Sequence, residues 1–243
     1  MDVYSKDPQI LMNFDYLTVV DGAVLPKEVN TIFESGNQAD VPVLIGSNAD
    51  EATTFDPGLL NPNASNFDYG EALSAQVSLM LPNADESIFD HYPAEPKLAK
   101  QSWVEFSTDV MFTQPMRLWA DYMQNVSSPA YLYWWDWSPI IDGSDQYGAF
   151  HAAEVPYVFG DLSIFNMMPR QEDREFSELM MTIWTNFAKT GDPSVEGAIE
   201  WPPYAPESSA TAILGEKLTI QAGVRSDRVT AITAAHSARR ASN

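Results

Sequence analysis

Two short, strongly β-prone runs, set far apart, limit what this chain can fold into more than any other feature. Val41-Pro42-Val43-Leu44-Ile45-Gly46 is an apolar run closing on glycine, and Ala130-Tyr131-Leu132-Tyr133-Trp134-Trp135-Asp136-Trp137 is dense in aromatic residues. The first reads as a buried strand of a mostly parallel sheet, the second as another core strand. Elsewhere the apolar residues recur at helical spacing. From about Glu95 to Gln124, Leu98, Trp103, Phe106, Val110 and Met111 fall on one side, and Pro115 should kink or break the helix in mid-course. The clearest helix is Glu172 to Lys189, where Phe176, Leu179, Met180, Ile183, Trp184 and Phe187 form one stripe before Thr190-Gly191-Asp192-Pro193 stops it. Strands separated by long helical stretches give an α/β layout.

Weaker signals fill the gaps. Pro26 to Glu34 reads as a short helix ending before Gly36, and the polar stretch to about Asp68 as a surface loop. Asn83-Ala84-Asp85-Glu86 resembles a capping box opening a helix that ends near His91. Residues 211–220 alternate loosely, as an edge strand would, before a last helical segment to about Arg240. No repeat, low-complexity tract or linker interrupts the chain, so it reads as one α/β unit, and an incomplete one.

Charge and composition exclude several function classes. The chain carries 34 acidic and 13 basic residues, a net charge of −21, which argues against nucleic acid and anionic membrane as partners because phosphate binding needs a basic face. The acidity reads as solubility or as adaptation to salt. Arg225, Arg228, Arg239 and Arg240 gather near the C-terminus and read as a solvated helix face or tail. No apolar run approaches the roughly 20 residues of a membrane span. The stretch from Met1 to Pro8 lacks the layout of a signal peptide. With no cysteine there is no disulfide, thiolate metal site or cysteine nucleophile, and three scattered histidines offer no metal-ligand spacing. No cofactor is expected.

The histidines are where proton-transfer chemistry would lie. His91 closes a predicted surface helix, where a basic side chain suits the helix dipole, and His236 lies in the basic C-terminal segment; both read as structural. His151 follows the loop Asp142 to Phe150 beyond the aromatic strand, the kind of place where an α/β sheet exposes functional side chains. Taken alone, its residues leave a functional and a structural reading equally open. Glu51 stands in a matching place, five residues beyond the strand that ends at Gly46, and alone it would read as surface charge. The pairing changes this. An acid after one strand and a histidine after a later one fit, in order, the last two members of a serine–acid–histidine triad on an α/β sheet.

At these residues a family resemblance becomes specific. Val41 to Glu51, with Gly46-Ser47-Asn48-Ala49-Asp50-Glu51 at its core, resembles the segment that carries the triad glutamate in type-B carboxylesterases, para-nitrobenzyl-esterase-like enzymes and cholinesterases. Gly148-Ala149-Phe150-His151-Ala152-Ala153-Glu154-Val155-Pro156-Tyr157 resembles the segment that carries the triad histidine. Val20-Asp21-Gly22, Leu25-Pro26, Trp184 to Pro193 and Trp201-Pro202-Pro203-Tyr204 agree in order and spacing, and Thr108-Asp109 with Phe112 and Pro115 agrees more loosely. There are two departures: Ala52 and Ala152 stand where the family often has glycine after the acid and after the histidine.

The resemblance implies an α/β-hydrolase fold, truncated, with residues 1–243 forming the C-terminal part of a single carboxylesterase domain. It implies a serine carboxylesterase acting on a small-molecule ester, with Glu51 and His151 as catalytic residues. No Gly-x-Ser-x-Gly turn occurs among the 12 glycines. The nucleophile and oxyanion hole are therefore expected in an upstream half of the same domain, which would be this chain's partner. The chain alone is then expected to be inactive and poorly soluble. Zero cysteine, where secreted eukaryotic members usually carry disulfides, points to a bacterial source, with the compartment left open between cytoplasm, periplasm and secretion. The alternatives are a non-catalytic binding or adhesion module of the same fold and a non-functional gene fragment.

Overall fold

A computed structural model describes residues 19–61 and 66–241. The N-terminal segment on which the signal-peptide reading bears lies outside them. Its elements are, in order, helix α1 (Val29–Glu34), strand β1 (Val43–Asn48), a 3-10 turn (Glu51–Phe55), and helices α2 (Pro57–Leu60), α3 (Tyr69–Met80), α4 (Ile88–His91) and α5 (Ala99–Thr108). A π-helical turn (Asp109–Thr113) then leads into α6 (Gln114–Tyr122), β2 (Ala130–Trp135), α7 (Val155–Phe159), α8 (Gln171–Thr190), the strands β3 (Ala210–Leu214) and β4 (Thr219–Ala222), and α9 (Ser226–Ala241).

The strands form one sheet in the order β1-β2-β3-β4, parallel except for the β3–β4 hairpin. Odd-numbered residues of β2 face α8, as the period of two demands. Tyr131 meets Phe187, Tyr133 meets Trp184 and Trp135 meets Phe176, at ring-centroid distances of 6.1, 5.4 and 5.2 Å. Ala130 and Leu132 face the other way, onto Met116, Ala120 and Met123. Tyr133 also explains Gly46 in β1: a side chain there would lie 2.3 Å from the tyrosine ring, so only glycine lets the ring cross the neighbouring strand. Helix α8 ends where the sequence requires, on Gly191 in the left-handed conformation at φ 76°.

Several boundaries differ from the sequence reading. β1 runs two residues later than Val41–Gly46, because Pro42 has no N–H for the ladder while Ala49 N–H still reaches Trp135 O. The expected surface loop holds two short helical elements: the Glu51–Phe55 turn and α2, whose first turn is capped by Asp56 accepting from Gly58 N–H. Helix α3, for which the sequence reading had no element, is capped by Asp68 accepting from Glu71 N–H. The supposed capping box is not one. Asp85 instead accepts from Ser87 N–H in a turn, leaving α4 a single turn. Leu98 is 42% exposed, at the start of α5, not on the buried stripe. Pro115 does not end the helix: the ladder widens into the π-helical turn just before it, which accommodates the missing N–H and the ring. The stretch 211–220 proves to be two strands, with β3 buried throughout and β4 forming the exposed edge.

Arg225 and Arg228 are only partly exposed, and each is paired; the side chains of Arg239 and Arg240 lie outside the described residues. Arg225 Nη1 lies 3.1 Å from Asp109 Oδ2, and Arg228 reaches Glu105 at 2.8 Å and Asp109 at 3.8 Å. Asp109 is fully buried, and burial pushes its carboxyl up, so the charge needs these cations beside it.

Candidate active site

β1 and β2 lie side by side and parallel, so the loops leaving their C-terminal ends emerge together. The first residues beyond β1 form the turn that begins at Glu51; the loop beyond β2 runs to His151. The two are tied by a short parallel bridge between Asp50 and Phe150. Asp50 N–H donates to Ala149 O and Ala149 N–H donates back to Asp50 Oδ2, both at 3.0 Å. Thr53 Oγ1 donates to Tyr147 O at 2.6 Å.

The structure thus brings together the two residues singled out in the sequence, 100 positions apart. His151 Nδ1 lies 2.6 Å from Glu51 Oε2. Glu51 is buried, while the His151 side chain is 44% exposed. The other carboxylate oxygen, Oε1, accepts Asn48 N–H at 2.8 Å. Phe112, from the π-helical turn, and Phe55 lie against the imidazole at centroid distances of 4.9 and 5.9 Å. With a carboxylate on its Nδ1 side, the ring carries its proton there, and Nε2 is left with the lone pair. Among the described residues Nε2 has no hydrogen-bond partner. The hydrogen bond donated to Glu51 holds the imidazole above its ordinary pKa of 6.5; burial opposes this, and the charges of Glu51 and Glu154 add to the rise.

His91 and His236 take no part. His91 sits in the last turn of α4 against Tyr92, and His236 lies in α9, lining a separate groove with Phe33 and Trp119. The aromatic residues Trp135 and Trp137 are buried in the core beneath α8. Among the described residues no group of three or more histidine or acidic side chains could hold a metal ion, and no helix is long and apolar enough to cross a membrane.

The backbone accounts for one departure from the family pattern and not the other. Ala152 has φ 67°, in the left-handed region that favours glycine, so the residue after the histidine is strained by its own Cβ. Ala52 lies in the 3-10 turn at 0% exposure, with its N–H donated to Thr108 Oγ1, and has no need of glycine. Sequence reasoning also passed over Asn48 and Glu154. Both stand inside the two motifs, and Asn48 Nδ2 donates to Glu154 Oε2 at 2.6 Å and to Phe150 O at 2.7 Å. The signal that could have found Asn48 is a polar residue at the end of an otherwise apolar strand.

Known proteins share this arrangement of sequence and fold. The profile of the carboxylesterase family matches residues 4–232. Para-nitrobenzyl esterase of Bacillus subtilis (strain 168) is 32% identical over 215 residues, covering 86% of this chain and 41% of that protein. Neuroligin-3 of Mus musculus is 27% identical over 195 residues, covering 72% and 24%. Among solved structures, a PNB esterase superposes with TM-score 0.71 at 31% identity, over 88% of this chain and 42% of that one. A carboxylesterase of Geobacillus stearothermophilus does so with TM-score 0.73 at 26% identity, over 88% and 44%. The chain spans less than half the length of each of these relatives. On the family match and these structural likenesses together, the chain belongs to the carboxylesterase family and has the α/β-hydrolase fold.

Proposed function

We propose that this chain supplies the acid and the base of a serine-type ester hydrolysis, with Glu51 orienting His151 and His151 moving the proton. The observation that carries the reading is the 2.6 Å contact between Nδ1 and a buried carboxylate, which leaves Nε2 free on a half-exposed ring. In this reading the chain is the C-terminal part of one domain. A serine and the backbone N–H groups of an oxyanion hole come from chain outside these 243 residues, and the substrate is a small-molecule ester.

The steps follow from the geometry. Nε2 takes the proton from the serine hydroxyl as its oxygen attacks the ester carbonyl, and the imidazolium formed is stabilised by Glu51. The same proton then passes to the alkoxide as the C–O bond breaks, leaving an acyl-serine. A water repeats the sequence, giving its proton to Nε2 and its oxygen to the acyl carbon, and the serine leaves with the proton returned.

The similarity to neuroligin-3 keeps a second reading in view, a binding module of the same fold. That reading does not require an acid and a histidine in contact; the hydrolytic one does. The test is ester hydrolysis by the longer protein. Glu51→Gln should lower kcat about 10⁴-fold and His151→Ala about 10⁶-fold, and near-wild-type turnover in either would overturn the assignment. The 243-residue chain alone should show no turnover above background.

A further inference from the structure

Asn48, the last residue of β1, grips both halves of the pair. Its backbone N–H donates to Glu51 Oε1 at 2.8 Å, and its Nδ2 donates to Phe150 O at 2.7 Å and Glu154 Oε2 at 2.6 Å. It is 1% exposed. Both hydrogens of the amide nitrogen are committed to acceptors, which fixes the direction of the amide; reversed, its oxygen would face a carbonyl and a carboxylate. The other ties between the loops, from Asp50 and Thr53, reach residues 147–150, all before the histidine. Asn48 instead holds the chain on both sides of His151, at Phe150 and at Glu154. A contact of 2.6 Å tolerates displacement of only about half an ångström before its strength is lost.

We propose that Asn48 is a positioning residue for the Glu51–His151 pair, setting the distance between carboxylate and imidazole and so the strength of their hydrogen bond. The proposal rests on reading those two residues as an acid–base pair, but its test does not depend on turnover. Proton NMR of the longer protein, with its histidines isotopically labelled, can follow the His151 imidazole through a pH titration, with His151→Gln assigning the signal. The carboxylates that act on His151 are Glu51 and Glu154, and both remain in an Asn48→Ala variant.

In the unaltered chain His151 should titrate above 6.5 and show a low-field Nδ1 proton. Asn48→Ala should lower the midpoint by about half a unit or more, about threefold in the dissociation constant, and move the low-field proton upfield. Thr53→Val, which cuts a different tie between the same loops, should leave His151 unmoved. If the alanine variant fails to fold, Asn48→Ser, too short to reach both acceptors, carries the same measurement. An unchanged His151 midpoint with its low-field proton in place overturns the proposal, as does an equal shift in Thr53→Val. A longer protein that still hydrolyses esters with His151→Ala would end the catalytic reading and leave this one standing.

Discussion

The two alanines that stand where the family often has glycine should respond to glycine with opposite signs. Ala152 sits at φ 67°, and a left-handed residue with a Cβ costs about 1–2 kcal/mol relative to the right-handed region. Glycine removes that strain but gives the unfolded chain more freedom, about 0.5–1 kcal/mol. The balance is a gain of about 0.5–1 kcal/mol for Ala152→Gly, since the side chain is only partly buried. Ala52 has no strain to relieve. Its methyl is fully buried, so Ala52→Gly forfeits about 0.8 kcal/mol of burial and adds the same unfolded-state freedom, a loss of about 1–2 kcal/mol. For a chain of this size a kilocalorie moves the melting temperature by about 2–4 °C. The two variants should therefore part by several degrees in a thermal melt, and in the same order in urea midpoints. If Ala152→Gly is neutral or destabilising, the strain argument fails.

Two further perturbations test the surrounding charges. Asp173 is buried at the start of α8. Burial opposes its charge, but hydrogen bonds from Arg170, Tyr157 and Trp137 outweigh it and hold the carboxyl at about 2. A carboxyl held below its ordinary 3.8 stabilises the fold above that value, and the contribution disappears as pH falls through about 2. It amounts to about 2 kcal/mol, so urea stability of the unaltered chain should drop by that much between pH 5 and pH 2, and the Asp173→Asn variant should lack that part of the drop. Asp109→Ala leaves Arg225 and the Tyr92 hydroxyl buried without their carboxylate, and should lower stability by about 3–5 kcal/mol; a loss below about 1 kcal/mol would mean the ion pair matters little.

What the sequence disclosed, and what it hid, follows from the range of the forces involved. The α8 stripe and the aromatic strand were legible because burial repeats along them with a fixed period: every odd residue of β2 finds a ring on α8. Helix α3 carried signals that were passed over: Asp68 stands three residues before Glu71, as at a capped helix start, and Leu73, Val77 and Met80 recur at helical spacing. The hairpin β3–β4 was misjudged because a fully buried strand does not alternate. Arg225 looked solvated because its partner, Asp109, is 116 residues away and lies on a turn that exists only because Pro115 disturbs the helix. At the candidate site, Glu51 and His151 were found by motif and order. Asn48 was not, because its value lies in three contacts at once, and two of those lie more than a hundred residues off.

These contacts explain why a half-exposed histidine can be held so closely without an enclosing pocket. Glu51 is buried, and an unpartnered carboxylate there would be costly. It has one firm donor on each oxygen, Asn48 N–H on Oε1 and His151 Nδ1 on Oε2, so the carboxylate is satisfied only when both loops are in register. The register is in turn fixed by the Asp50 N–H to Ala149 O bond, which continues the β1–β2 pairing beyond the sheet, and by Ala149 N–H donating back to the Asp50 carboxylate. The acid–histidine geometry is therefore an extension of the strand register, built from this chain's own contacts. If serine and oxyanion donors are brought to it from elsewhere in the domain, they meet a base whose tautomer and direction are already set. The chemistry then needs only Nε2, the one polar atom of the pair left free.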